Sequence, residues 1–280
     1  MNPLAPEKER VREHWEAEPC GLRYAEGPTA RERFRAMSSS RYHLEPFIES
    51  FARFKEARGL AVLEIGVGAG SDFENWVASG ARATGVDLTA SAVSLTRERL
   101  ALDPSANGRY ALSVADAENL PFRSRAFDLV YAWGVLHHSP DTPRALAEAF
   151  RVLKPGGRLK AMIYHLPSWT AWLLWLRYSL ARLRLGDTPK DAVFSNLESP
   201  GTKAYRLAEA RQLLSGAGFG DISLRTKLGP WDLLTISRSA RYRHPAFRLV
   251  WALYPRWLVR LLGDRFGLYL LIDARKPEGA

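Results

Sequence analysis

The sequence predicts an α/β fold built around an open, mostly parallel sheet, and three observations carry that prediction. First, short apolar runs at Leu60–Ile65, Ala81–Asp87, Tyr110–Ala115, Phe127–Trp133 and Arg158–Tyr164 alternate with helical segments. The order β-α-β-α-β-α-β-α-β calls for parallel strands joined by right-handed crossovers. Second, Phe127–Trp133 is almost continuously apolar, as a strand covered on both faces must be. Third, the first run ends in Gly66, Gly68 and Gly70 on alternate residues, the mark of a tight turn after a buried strand.

Bulk properties set the outer bounds. The chain has 280 residues, enough for one large α/β domain with a full core, or for one domain with additions. No uncharged apolar run is long enough to cross a bilayer, and MNPLAPEKERVREHW lacks the apolar region of a signal peptide. Cys20 is the only cysteine, so no disulfide can form within the chain, and a cysteine-based metal site is not expected. We expect a cytoplasmic protein. Charge is uneven: residues 151–280 hold 22 lysines and arginines against nine acids, whereas the rest is slightly acidic. A basic half favours an acidic partner such as anionic lipid or nucleic acid, or is a solvated arginine-rich surface.

The elements follow in order. Residues 1–58 read as helical and polar, broken at Pro19, Gly27–Pro28 and Pro46, with Ser40 placed to cap a helix carrying Leu44, Phe47, Ile48 and Phe51. Next comes LAVLEIGVGAG and a helix over about Gly70–Ser79, whose N-terminus faces whatever lies over the turn. The dinucleotide pattern G-x-G-x-x-G does not fit, because its third glycine would fall on Ser71. The pattern is E-x-G-x-G-x-G, with Glu64 two residues before the first glycine. Asp87 closes the second strand near the ~20-residue offset at which a carboxylate reaches a ribose diol. Thr89 can cap the next helix and Asp141 the helix Thr142–Leu153, while Asp116 stands at the end of the third strand.

Beyond the KPGG turn and the fifth strand, Trp169–Leu185 reads as one helix with two apolar stripes: Trp169, Trp172, Leu173, Leu176, Leu180 and Leu183 against Leu174, Tyr178, Ala181 and Leu185. Such a helix should be sandwiched between two apolar surroundings. The helix Leu207–Gly216, poorly capped by Tyr205 and Arg206, leads to a sixth strand in GAGFGDISLRTKL. An aromatic, basic insert over Pro230–Asp264 and a last strand, Phe266–Arg275, complete the chain. The domain division expected is 1–58, 59–165, 166–204 and 205–280, with an insert at 230–264.

LEIGVGAG, GVDLT, VADAENLPF, FDLVYAWGVLHH and LAEAFRVLKPGG occur in the order that marks a family. Together they resemble the class I S-adenosylmethionine (SAM)-dependent methyltransferases, and most of all the small-molecule branch with the ubiquinone and menaquinone methyltransferases. The resemblance spans roughly Arg41 to Phe219. It implies a Rossmann-like, seven-stranded, mostly parallel sheet with helices on both faces and an antiparallel last strand. It also implies an N-terminal helical lid and two helical inserts in the C-terminal half. The cofactor implied is S-adenosyl-L-methionine, held by Glu64, Gly66, Gly68, Gly70, Asp87 and Leu88. By the same resemblance Asp116 accepts from the adenine amine beside the Ala117 amide, Trp133 sits at the sheet's carboxyl edge, and Tyr42 touches the cofactor from the lid. Glu118 is expected to face solvent or cap a turn.

His137 and His138 follow the fourth strand. An imidazole there could deprotonate a hydroxyl acceptor, with His138 the better placed, or simply order its loop. No metal site is expected. If the family topology holds, both inserts emerge above the cofactor and roof an apolar pocket for a hydrophobic or lipid-like small acceptor. Their basic, amphipathic character suits a peripheral position at an anionic membrane surface, or else a core or dimer interface. Two rivals stand beside this reading: an RNA methyltransferase using the basic half, and a non-catalytic SAM-binding protein at membranes. O-, N- and C-methylation, and the oligomeric state, stay open.

Overall fold

The structure is a computed structural model that describes residues 5–106, 108–199, 201–235 and 254–280. Five parallel strands form its centre: β1 (Ala61–Ile65), β2 (Arg82–Asp87), β3 (Tyr110–Val114), β4 (Phe127–Trp133) and β5 (Leu153–His165). A two-residue β6 (Ala204–Tyr205) pairs parallel to the end of β5. Beyond it come β7 (Gly220–Lys227) and β8 (Tyr269–Arg275), and β8 inserts antiparallel between β5 and β7. The order is β3-β2-β1-β4-β5-β8-β7. The expected antiparallel last strand is present, and β6 is the strand the sequence did not suggest.

Because β2 and β4 flank β1, the chain reverses its winding there and leaves a crevice at the carboxyl ends of β1 and β4. Two apolar layers cover the sheet. One is built on Trp76, Phe73, Tyr131 and Val62, the other on Leu63, Ile65, Val130, Leu153 and Leu159. Lys154 and the glycines after it belong to β5, which starts earlier than the sequence suggested. Asp128 fixes that edge by accepting from Lys154 Nζ at 2.7 Å and from Ala61 N at 2.8 Å.

The helices begin where capping chemistry allows. After α1 (Ala5–Ala17) comes α2 (Ala30–Leu44), whose N-cap is Thr29 with Glu32 reaching back in a capping box. Ser40 therefore lies inside α2 and caps nothing. The apolar residues assigned to one helix are split between α2 and the short α3 (Ile48–Ala52), because Pro46 removes the hydrogen bond that would join them. Next, α4 (Ser71–Ala78) follows the glycine turn. Thr89 caps α5 (Ala90–Ala101) and Asp141 caps α6 (Thr142–Val152), both as expected. Glu16 of α1 accepts from Ala90 N and Ser91 N, each at 3.0 Å, so α1 docks on the electropositive start of α5.

The first insert departs from expectation. Its helix α7 (Trp169–Tyr178) ends about two turns early. Trp175 Nε1 donates to Asp187 O at 2.7 Å, Ser179 Oγ donates to Asp187 at 2.9 Å, and Leu183 takes a left-handed φ of 58°. The chain thus folds back into α8 (Pro189–Asn196). Thr170, Ala171, Leu174 and Tyr178 are buried, while Trp172, Leu176, Leu180 and Leu183 face outward. Leu174 and Tyr178 of one stripe have core cover, whereas Ala181 and Leu185 of that stripe and most of the other are exposed. The chain continues through α9 (Leu207–Gly216), started by Glu209 accepting from Arg206 N at 2.8 Å, and through α10 (Arg256–Leu261). Much of the second insert, 236–253, lies outside the described residues.

Fully buried Asp232 joins the two inserts to the sheet. It accepts from Thr170 N at 3.0 Å, Thr170 Oγ1 at 2.7 Å, Gly229 N at 2.9 Å and Leu268 N at 2.7 Å. Removing the carboxylate strands buried donors, so Asp232→Ala should destabilise the protein by about 3 kcal/mol. Urea denaturation followed by tryptophan fluorescence measures it; a loss below half a kcal/mol would contradict this account.

Candidate active site

A cavity of about 250 Å³ opens at the crevice beside β1 and β4. One end is the glycine turn. Gly66 N donates to Val86 O at 2.7 Å, and Gly66 takes a φ of 79°. A Cβ there would come within 2.1 Å of Val135, so only glycine fits. Gly68 N donates to Asp87 Oδ2 at 3.1 Å, while Thr89 N and Oγ1 donate to Asp87 Oδ1 at 3.0 and 2.8 Å. Burial pushes the Asp87 carboxyl up, against these hydrogen bonds, which favour its charged form.

Two residues that the sequence reading did not single out hold the turn from behind. Thr96 Oγ1 donates to Gly68 O at 3.0 Å, and buried Arg99 donates through Nε to Ala69 O at 2.6 Å. Arg99 also reaches Ser38 Oγ on the lid helix α2, at 2.8 Å. Both face the turn from α5 because that helix packs beside it, a proximity the linear pattern does not carry.

Glu64, Gly66, Gly68, Asp87, Leu88, Asp116, Ala117 and Trp133 all line the cavity. Gly70 does not: it shapes the turn behind it with a φ of 74°, and a Cβ there would meet Thr96 at 2.9 Å. Tyr42 does not line it either. Its hydroxyl donates to Asp72 Oδ1 at 2.9 Å and accepts from Asn75 Nδ2 at 2.6 Å, which turns the ring onto α4. Its neighbour Arg41 does line the cavity, and its Nε donates to Asp72 Oδ1 at 2.9 Å.

At the far side, Lys8 of α1 donates to Asp116 Oδ2 at 2.6 Å and also to Glu118. Glu118 is buried, contrary to expectation: it accepts from Ser139 Oγ at 2.5 Å and Asp141 N at 2.9 Å, which anchors the loop after β4. Lys8 and these contacts hold Glu118 below the usual carboxylate range despite the opposing effect of burial.

The two histidines part company. His137 is fully buried and off the cavity, its ring tilted against Tyr164 with 4.0 Å between centroids, and neither ring nitrogen has a partner among the described residues. Burial, with His138 and Lys203 beside it, pushes His137 well below its usual range, so it is neutral. It cannot reach an acceptor, which removes it as a candidate base. His138 lines the cavity, with Nδ1 at 2.8 Å from Ser199 Oγ and 3.1 Å from Thr202 Oγ1, and Nε2 at 3.3 Å from Glu198 Oε2.

Around His138 stands a group the sequence reading did not assign. Tyr164 Oη donates to Glu198 Oε2 at 2.7 Å, and the Tyr164 ring stacks on Tyr269, 6.0 Å between centroids. Tyr269 in turn donates to Glu45 at 2.5 Å, and Trp133 Nε1 donates to Glu45 at 3.2 Å. Burial works against a charge on Glu198, yet the His138 and Tyr164 contacts, with Arg23 nearby, hold it below the usual carboxylate range. Cys20, Trp15 and Trp231 complete this end. Glu198 sits in ESPGTKAY, just before β6, and no spacing in the sequence singles out its acid.

Among the described residues, neither insert forms the expected roof in full. No residue of α7 lines the cavity; the first insert contributes Glu198 and the second Pro230 and Trp231.

An open sheet with a glycine turn at its reversal point and an acid closing the next strand defines a Rossmann-like α/β protein with a nucleoside site at the carboxyl edge. Residues 63–161 match the family model of the methyltransferase domain. It is similar to the methyltransferase GfsG of Streptomyces halstedii, 30% identical over 46% of this chain and 53% of that protein. It is also similar to the demethylmenaquinone methyltransferase of Tropheryma whipplei, 28% identical over 66% of this chain and 74% of the relative. Thus the chain spans about half the length of the first of these. Phosphoethanolamine N-methyltransferase 2 of Haemonchus contortus, solved with SAM, shares the fold: the TM-score is 0.58 at 19% identity, covering 90% of this chain and 60% of that one.

The residues present fit that group. Asp87 offers an acceptor pair at the turn, Asp116 an acceptor beside backbone donors, and Gly66 a surface no side chain could share. Buried Glu64 keeps Oε2 without a partner among the described residues. Burial and the nearby Asp72 push Glu64 well above the usual range. The sign follows from linkage: the unfolded chain ionises this group first, so stability falls as pH rises above about 4.3, until the folded-state value is passed. Glu64→Gln should therefore raise the urea midpoint at pH 7 and leave it unchanged near pH 4; equal midpoints at both pH values would refute this.

Proposed function

We propose that this protein transfers the methyl group of SAM to a small, hydrophobic or lipid-like acceptor. The observation that carries the reading is that one cavity runs from the glycine turn and Asp87 to an aromatic end formed by Trp15, Trp133, Tyr164, Trp231 and Tyr269. A relative named for demethylmenaquinone supports an acceptor of this class. When bound, SAM supplies a methyl group on a sulfonium sulfur, which leaves without activation. The chain's own work is alignment and exclusion of water. In this reading Asp87 holds the sugar hydroxyls, Asp116 and the Ala117 amide hold the adenine, and Glu64 and Arg41 serve the amino-acid end. The lid helices α1 and α2 close the site through Lys8, Trp15 and Arg41.

Calorimetry with SAM and its demethylated product tests the cofactor site. Wild type should bind both, and Asp87→Ala should weaken binding about tenfold or more, as expected for losing a hydrogen bond to a charged group. Unchanged affinity in Asp87→Ala would remove the assignment. Methyl-labelled SAM incubated with lipid-soluble and aqueous extracts of the source cells then tests the acceptor: label in the lipid-soluble fraction is expected, and label only in aqueous products would overturn it.

We further propose that the protein works in the cytoplasm against an anionic membrane surface. The outward stripe of the first insert supports this: Trp172 is 44% and Leu183 83% exposed, with Leu176 and Leu185 beside them and Arg182 and Arg184 between. Apolar side chains with arginines on one exposed face suit lipid headgroups. No helix among the described residues is long and apolar enough to cross a membrane. Sedimentation with phosphatidylglycerol vesicles should carry the protein down at low salt, less so at 0.5 M salt; equal recovery with phosphatidylcholine vesicles would refute an anionic surface.

A further inference from the structure

His138 is the imidazole at the acceptor end, and its Nδ1 is engaged by two hydroxyl groups. Nδ1 faces Ser199 Oγ at 2.8 Å and Thr202 Oγ1 at 3.1 Å, and both hydroxyl residues are buried. The Thr202 hydroxyl proton is already given to Ser199 O at 2.6 Å, so Thr202 can only accept from the ring. Nε2 lies 3.3 Å from Glu198 Oε2. That nitrogen is buried and makes no hydrogen bond among the described residues, so it offers an acceptor no accessible surface.

Glu198 is different. Its Oε2 is held between Tyr164 Oη, at 2.7 Å, and His138 Nε2, whereas Oε1 has no protein donor among the described residues. The side chain lines the cavity and keeps 24% of its surface accessible. The backbone presents it in a left-handed conformation with a φ of 53°, a cost that non-glycine residues bear where geometry is imposed. Tyr164 is itself fixed by stacking on Tyr269 and by the tilted ring of His137 against it. Three elements thus converge on one carboxylate: the end of β5, the loop after β4 and the loop after α8.

We infer that Glu198 is the catalytic base of the transfer: its Oε1 accepts the hydrogen bond of an acceptor hydroxyl or amine and takes that proton, while His138 and Tyr164 position it. This rests on the methyltransferase reading. The acceptor's oxygen or nitrogen forms its bond to the methyl carbon as the carbon–sulfur bond breaks. The sulfur keeps the electron pair and becomes a neutral thioether, and the acceptor's proton passes to Oε1. The acceptor class is therefore one carrying an O–H or N–H at the reacting atom.

The test compares wild type with Glu198→Gln, Glu198→Asp and Tyr164→Phe. Binding of demethylated SAM is measured by calorimetry, and transfer by label from methyl-labelled SAM into the source-cell extract. Glu198→Gln should bind the demethylated cofactor as wild type does and transfer label about a hundredfold more slowly. Glu198→Asp should recover part of that rate, and Tyr164→Phe should lose about tenfold in rate with cofactor affinity unchanged. Transfer by Glu198→Gln within threefold of wild type would overturn the assignment. So would a parallel loss of cofactor affinity, which would make Glu198 part of the cofactor site or the fold. The nearest ligand atoms of His137, His138 and Glu198 lie within 4.8 Å of one another. Activity abolished by EDTA and restored by a divalent cation would therefore also overturn it. Wild type that binds the demethylated cofactor yet labels nothing in any extract would sink the methyl-transfer reading itself, and this inference with it.

Discussion

The constraint on which the molecule depends is the hold exerted on the glycine turn after β1. A turn without side chains has no packing of its own to define its shape. It is defined here by groups that reach it from elsewhere: Asp87 accepting from the Gly68 amide, Thr96 on the Gly68 carbonyl and Arg99 on the Ala69 carbonyl. Arg99 is 2% exposed, a cost for a guanidinium that is offset because its donors end on the turn, on Ser38 and Ser71, and on Glu74. The same side chain therefore ties the lid, the turn and α5 into one body. Cofactor site and fold are stabilised by the same bonds.

From that turn the rest of the site is laid out by topology. Reversal of the winding at β1 opens the crevice, β4 ends in Trp133 at its rim, and β5 carries Tyr164 past it. The antiparallel β8 brings Tyr269 alongside Tyr164 from the other end of the sequence. Acids sit at both ends of this aromatic floor, Glu45 on Tyr269 and Glu198 on Tyr164. Both carboxylates have hydrogen-bond donors, which is what allows them to remain in an otherwise apolar cavity.

The two inserts divide their tasks. The loop after α8 and the Pro230–Trp231 segment reach the cavity, whereas α7 turns its inner face to the core and its outer face away. Asp232 couples both inserts to the start of β8, so the far end of the chain and the acceptor end of the cavity share one buried carboxylate.

The sheet, the glycine turn and the acid after β2 were legible from the sequence because they are local patterns: apolar runs, alternate glycines and a carboxylate at a fixed offset. The caps at Thr89 and Asp141 were legible for the same reason. Local pattern failed where a side chain's direction depends on distant packing. Tyr42 and Arg41 are neighbours in sequence, yet only Arg41 faces the cavity, since Asp72 and Asn75 draw the Tyr42 hydroxyl away. His137 and His138 are likewise adjacent, and only the fold buries one and presents the other. Glu198 could not be singled out at all, because its partners come from β5 and from the loop after β4, well before it in the chain. Local motifs and the family resemblance they carry thus pointed to the class of protein and its cofactor end; three-dimensional convergence alone decided which residues line the aromatic end of the cavity, since hydrogen-bond geometry acts across space and not along the chain.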